Sequence, residues 1–196
     1  MIEVEPGNAG HDAARLDAIR RGDEKAFASL YAALHPPIYR YALHMCGPAA
    51  ADDVVQETFM ALLRDTRGFD PDRGTVQGYL FGIARHFVLK RLAISRLESP
   101  LDDDEGAVGP FSAEPATPFD DVSRAETVAS VRAAVRSLPP VYREVIVLCE
   151  LEGMDYAAAA ALIECPIGTV RSRLHRARAL LASKLVATQR VAVSKP

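Results

Sequence analysis

A chain of 196 residues that is 49% hydrophobic and 25% charged, with a formal net charge of −3, has the composition of a globular protein with room for one ordinary domain or two small ones. No apolar run approaches the roughly 20 residues of a membrane span, and the opening MIEVEPGNAGHD lacks the basic and apolar regions of a secretory signal. Cys46, Cys149 and Cys165 lie far apart with no C-x-x-C spacing, which excludes an even disulfide framework, argues against a metal site and points to a reduced, cytoplasmic protein.

Helical periodicity, broken by turn residues, runs through the first half. Ala13 to Arg21 reads as a short helix stopped by Gly22-Asp23, and Glu24 to Leu34 as a second, stopped before Pro36-Pro37. A third resumes from Pro37 to Cys46 and ends at Gly47. Ala49 to Thr66 is a longer amphipathic helix whose apolar stripe is Val54, Val55, Phe59, Leu62 and Leu63. RGFDPDRGT has the composition of a loop, and Val76 to Leu97 is the last long helix of this half.

Residues 98–121, ESPLDDDEGAVGPFSAEPATPFDD, are rich in Pro, Gly and acid without a steady period and read as a flexible linker. Beyond it, helices are expected from Val122 to Ser137 and from Pro139-Pro140 to Glu152, stopped by Gly153. Asp155 is placed to cap a short helix through Ile163; ECPI is a tight turn, and a final helix covers Ile167 to Val186. The fold class is therefore all-α: two small helical domains joined by an acidic linker. The short turn between the last two helices fits a helix-turn-helix, whose second helix enters the DNA major groove.

Charge is partitioned along this plan. Residues 1–97 balance twelve bases against twelve acids; residues 98–121 hold eight acids and no base; residues 166–196 hold seven bases and no acid. The basic end suggests a nucleic-acid contact. At about 100° per residue, Val170, Leu174, Ala177, Leu181 and Leu185 share the packed face of the final helix. Thr169, Ser172, His175 and Arg176 lie opposite, flanked by Arg171, Arg173 and Arg178. Arginine pairs bidentately with guanine or phosphate, and Thr and Ser reach base edges or phosphates. A basic amphipathic helix that is only a solvated face remains the plain alternative.

The stretch LPPVYREVIVLCELEGMDYAAAAALIECPIGTVRSRLHRARALL closely resembles domain 4 of the extracytoplasmic-function (ECF) sigma factors, most specifically in GTVRSRLHRAR. AFASLYAALHPPIYRYALHMCG, ADDVVQETFMALLRD and YLFGIARHFVLKRL are similar to successive parts of domain 2 of the same family, so the resemblance covers most of residues 24 to 186. It implies a domain 2 over 12–97, the linker over 98–121, a domain 4 over 122–186 and a tail over 187–196. It implies a factor that binds core RNA polymerase and promoter DNA, is held by an anti-sigma factor, inserts in no membrane, needs no cofactor and does no catalysis. Thr169, Arg171, Ser172, Arg173 and Arg176 become the expected contacts to the −35 element. Asp53, Gln56, Glu57 and Phe59 match the polymerase-docking surface, with Phe59 equally readable as core. Phe69, Tyr79, Arg85, His86, Lys90 and Arg91 are the candidates for holding the −10 element, where separated strands need aromatic and cationic partners. The chain departs from the family at Tyr79, where tryptophan is common, at His86 and Lys90, where asparagine and aspartate are common, and in YAAAAALI, which lacks the usual acidic and isoleucine residues. Other readings are a regulator that uses only its helix-turn-helix, and a sigma mimic, which would carry a receiver domain. An enzyme is the weakest reading, because no Ser-His-Asp order or phosphate loop stands out.

Overall fold

The computed structural model describes residues 9–98 and 120–193, and every regular element among them is helical. The chain divides into two compact units at Glu98/Ser99. The expected acidic linker lies outside the described residues except at Glu98, Asp120 and Asp121, as do residues 194–196 of the expected tail.

The first unit holds α1 (Ala9–Arg20), α2 (Glu24–Cys46), α3 (Pro48–Arg64) and α4 (Val76–Glu98). Asp23 starts α2 by accepting the backbone N–H groups of Lys25 and Ala26 at 2.9 and 3.0 Å, the usual service of an N-cap carboxylate. The break expected before Pro36-Pro37 does not occur: α2 is one helix with both prolines inside it. A proline in a helix interior costs about 3 kcal/mol. Against that stand Leu30, Leu34, Ile38, Tyr41 and Met45, all buried and spaced by three or four residues across the prolines. Each such side chain contributes roughly 1.5–3 kcal/mol when buried, so continuity of the apolar face prevails. The prolines remove partners from the carbonyls of Ala32 and Ala33, on a side where Ala32 and Pro36 are exposed. On α3 the stripe is as expected at Val54, Val55, Phe59 and Leu62, but Leu63 points outward and is 46% exposed. Tyr41 of α2 meets Phe81 of α4 edge-on, ring centroids 5.6 Å apart, at the centre of this core.

Between α3 and α4 the expected loop contains two short 3₁₀ turns, Thr66–Gly68 and Pro71–Arg73. Thr75 Oγ1 accepts the N–H of Gly78 at 3.1 Å, capping the first turn of α4.

The second unit comprises α5 (Asp120–Arg136), α6 (Pro140–Ile146), α7 (Tyr156–Leu162) and α8 (Ile167–Val193). The helix expected to reach Glu152 stays α-helical only to Ile146; Val147–Leu151 form a wider π-helical turn, closed by the Glu152 N–H on the Val147 carbonyl at 3.0 Å. The widened turn accompanies an unbroken buried run from Glu144 to Leu148. Arg143 donates through Nε and Nη2 to the Leu138 carbonyl at 3.2 and 2.9 Å, placing a cation where the carbonyls of α5 end. Asp155 caps α7 as expected, accepting from Ala157 and Ala158. The turn into α8 is a Schellman motif. Cys165 N–H bonds the Ala160 carbonyl, Glu164 N–H bonds that of Ala161, and Glu164 holds the left-handed conformation at φ 55°. The last helix continues to Val193, seven residues past the expected end.

Candidate nucleic-acid interface

The phase of α8 follows from what it packs against. Val170, Leu174 and Ala177 are fully buried against α6 and α7, and Leu181 and Leu185 are half-buried. The opposite side is therefore presented to solvent. Arg171, Ser172, His175 and Arg176 are exposed, while Thr169 and Arg173 are half-buried. Ser172 Oγ donates to the Thr169 carbonyl at 3.0 Å, which leaves its oxygen able to accept. Arg171, Arg173 and Arg176 make no ion pair with any described residue.

Arg178 has a different fate. Its Nη2 pairs with the Glu150 carboxylate at 2.5 Å and donates to the Tyr156 hydroxyl at 3.4 Å. The hydrogen bond to Glu150, then that to Tyr156, raises its pKa. It ties α8 to the π-helical turn and α7.

On α4, Tyr79, His86 and Lys90 fall on one stripe at about 100° per residue. His86 and Lys90 are exposed, and Tyr79 is half-buried. Phe69 joins this stripe from the loop, its ring centroid 5.8 Å from that of Tyr79. Arg85 is half-buried on another side of the helix. The Tyr79 hydroxyl reaches the Asp65 carbonyl at 3.5 Å, and burial, then the Asp65 charge, raise its pKa above the ordinary phenol value.

Arg91 and Phe59 stand apart from the other candidates of their groups. Arg91 turns from the Tyr79 stripe toward α3, where its Nη1 lies 2.7 Å from Glu57 and its Nη2 3.7 Å from Asp53. The Glu57 hydrogen bond raises its pKa against the opposing effect of burial. An arginine expected at DNA is thus held by two carboxylates expected at the polymerase. Phe59 is only 3% exposed and packs on Phe27 and Tyr31, with centroids 6.3 and 4.7 Å away. It is a core residue beneath the acidic surface, because the inward phase of α3 that buries Val55 and Leu62 also carries position 59. Asp53 and Gln56 are exposed, and Glu57 is half-buried.

Two contributors lay beyond sequence reasoning. Asp12 Oδ2 accepts the Val76 N–H at 3.0 Å across 64 positions of sequence, a buried contact. Gly68 lies so close to Tyr79 that a Cβ there would stand 2.5 Å from the phenol oxygen. The Thr75 cap is local, three residues from the N–H it accepts, whereas a partner from α1 has no local signal. No group of three or more His, Cys, Asp or Glu able to hold a metal occurs among the described residues. No described helix is long and apolar enough to cross a membrane.

Two helical units, one with a helix-turn-helix whose outer face carries Arg171, Arg173 and Arg176 without an ionic partner among the described residues, fit a DNA-binding transcription protein. The family models narrow that class: Sigma-70 region 2 matches residues 30–96, and Sigma-70 region 4 matches residues 129–181. ECF RNA polymerase sigma factor SigE of Mycolicibacterium smegmatis is 33% identical over 189 residues, covering 93% of this chain and 70% of the relative. ECF RNA polymerase sigma factor SigC of Mycobacterium tuberculosis is 31% identical over 173 residues, covering 83% and 85%. Among solved structures, CnrH in complex with the cytosolic domain of CnrY has a TM-score of 0.67 at 28% identity, covering 92% of this chain and 99% of that one. The sigma factor RpoE of Bartonella quintana, in complex with the anti-sigma factor NepR, has a TM-score of 0.64 at 25% identity, covering 82% and 97%. The chain belongs to the ECF sigma factors, which bind core RNA polymerase and direct it to initiate at promoters.

Proposed function

We propose that α8 reads the −35 element through Thr169, Arg171, Ser172, Arg173 and Arg176. In the same reading α3 docks on core polymerase through Asp53, Gln56 and Glu57, with Phe59 packed beneath them. The loop after α3, with Phe69, Tyr79, Arg85, His86, Lys90 and Arg91, holds the −10 element, Arg91 from its pairing with Glu57 and Asp53. The polymerase-docking and −10 roles belong to residues 12–97 and the −35 role to residues 122–186, the linker being 98–121 and the tail 187–196. The factor works by binding, without catalysis, in the cytoplasm. CnrH and RpoE were each solved with a bound partner, which supports control of this chain by an anti-sigma factor.

The observation that carries the −35 assignment is the contrast along α8. Arg178 is engaged by Glu150 and Tyr156, whereas Arg171, Arg173 and Arg176 have no ionic partner among the described residues. Arg173→Ala and Arg176→Ala test it in the full chain with core polymerase. Loss of a base contact lowers promoter affinity by about 1–3 kcal/mol, and loss of a phosphate contact lowers the salt slope by about one. Arg178→Ala is the control: it loosens the second unit and leaves the salt slope unchanged. If Arg173→Ala and Arg176→Ala transcribe like wild type at every salt concentration, α8 is not the reading helix.

A further inference from the structure

We infer that α1 braces the loop that holds the −10 element, and that Asp12 is the positioning residue through which it does so. The inference rests on the reading of the loop given above, and it concerns a segment that precedes the matched region 2, which starts at residue 30.

Asp12, Leu16 and Ile19 occupy one face of α1 at spacings of four and three, and all three are buried. That face seats α1 against α2 and α4, and also against both short turns of the loop. The apolar pair fixes the helix, so the Asp12 carboxylate is delivered to the start of α4. There it accepts the N–H of Val76, itself 1% exposed. The first N–H groups of a helix have no intrahelical partner. Thr75 takes the one at Gly78, and Asp12 takes the one at Val76, where the helix dipole also favours a carboxylate. Inside the loop the hydrogen bonds are local: Asp70 accepts from Asp72 through its side chain and from Arg73 through its carbonyl. Such bonds shape the turns without fixing where the loop stands on the unit. The Asp12 bond fixes its exit, while the contact of Tyr79 with Asp65 and Gly68 marks its entry.

A loop held at both ends meets separated DNA strands in one conformation. Cutting the exit tether leaves the docking face on α3 and the −35 helix in the other unit untouched. Asp12→Ala removes the acceptor, whereas Asp12→Asn keeps an oxygen in the same place, and Asn and Asp are about equal as caps. The test uses the full chain with core polymerase and follows strand opening at −10 on duplex promoter DNA, on a promoter already unpaired there, and alongside core affinity. Asp12→Ala is expected to slow opening of the duplex about fivefold, the factor by which a typical lost cap shifts a conformational equilibrium. Core affinity stays within about twofold, and Asp12→Asn restores opening. Wild-type opening by Asp12→Ala, an equal loss of core affinity and opening, or no rescue by Asp12→Asn would each overturn the brace. Phe69→Ala separates the two readings: if it opens the promoter like wild type, the loop assignment itself fails; if it is impaired while Asp12→Ala is not, only the brace fails. Hydrogen exchange in the wild-type protein gives a measure that does not depend on a variant folding. The Val76 N–H is expected to exchange as slowly as the interior amides of α4, and fast exchange, normal for a first helical residue, would refute the tether.

Discussion

Gly68→Ala puts one methyl group at the point where the loop touches Tyr79. An ideal Cβ there would lie 2.5 Å from the phenol oxygen, 3.4 Å from the Asp65 carboxylate and 3.5 Å from the ring carbon bearing the hydroxyl. The first distance is far inside contact, and the ring has little freedom because Phe69 packs against it. Overpacking of this kind costs about 1–3 kcal/mol, offset by the roughly 0.4–1 kcal/mol that Gly→Ala gains by restricting the unfolded chain. A net loss of about 0.5–2 kcal/mol lowers the melting temperature of a unit of this size by roughly 2–16 °C. Tyr79→Phe alone removes a hydrogen bond at the 3.5 Å limit and is expected to cost less than about 1 kcal/mol. In the double variant the clashing oxygen is gone and the nearest ring carbon stands at 3.5 Å, an ordinary contact, so most of the loss returns. The assay is urea denaturation of the wild type, both single variants and the double, with binding to −10 DNA unpaired over the element as a second readout. A coupling energy of about 1 kcal/mol, with the double variant more stable than Gly68→Ala, is the expected result. Additive losses would show that the contact does not fix the loop.

Reversing Asp53 and Glu57 to lysine should lower core polymerase affinity at least about tenfold, measured by competition with another sigma factor. Arg91→Ala should leave it unchanged or raise it slightly, because exposed ion pairs are worth only about 0–1 kcal/mol and the carboxylates would then be unshared. Cys149 should alkylate more slowly than a cysteine in an unstructured peptide, since burial, then Glu150 and Asp155, raise its pKa against the opposing pull of Arg178. The sign is that of a group whose neutral form is favoured: its contribution is intact below the ordinary thiol range and is lost as pH climbs through the raised value, which a rate-versus-pH series would locate.

The parts legible in the sequence were those encoded over one or two helical turns. Gly22 and Gly47 interrupt helices where expected, Asp155 caps α7, and the phase of α8 follows from Val170, Leu174 and Ala177. Propensity misled at Pro36-Pro37, because a local penalty was weighed without the face from Leu30 to Met45 that overrides it. The candidate site was less legible because partners arrive from other helices. Nothing near Asp12 announces Val76, nothing near Arg91 announces Glu57, and Gly68 looks like any loop glycine until Tyr79 is folded over it.

The fate of each cation is decided by helix phase more than by charge count. Lys90 and Arg91 are neighbours in sequence, but one residue of α-helix turns about 100°. Lys90 is exposed near the stripe of Tyr79 and His86, while Arg91 faces Asp53 and Glu57, which themselves share a face of α3 because they are four residues apart. The same division operates on α8. Residues 166–196 contain no acid, so no arginine there can be screened by a carboxylate one turn away on its own helix. Any pairing must reach across to another element, and Arg178 meets Glu150 where α8 passes the π-helical turn. Arg171, Arg173 and Arg176 have no such carboxylate among the described residues, and a cation without a protein partner is the one that gains most from a phosphate or a guanine. A chain of net charge −3 can therefore keep a strongly basic helix without contradiction. Its acids lie elsewhere in the chain, several of them where they join helices, and residues 166–196 are free of them.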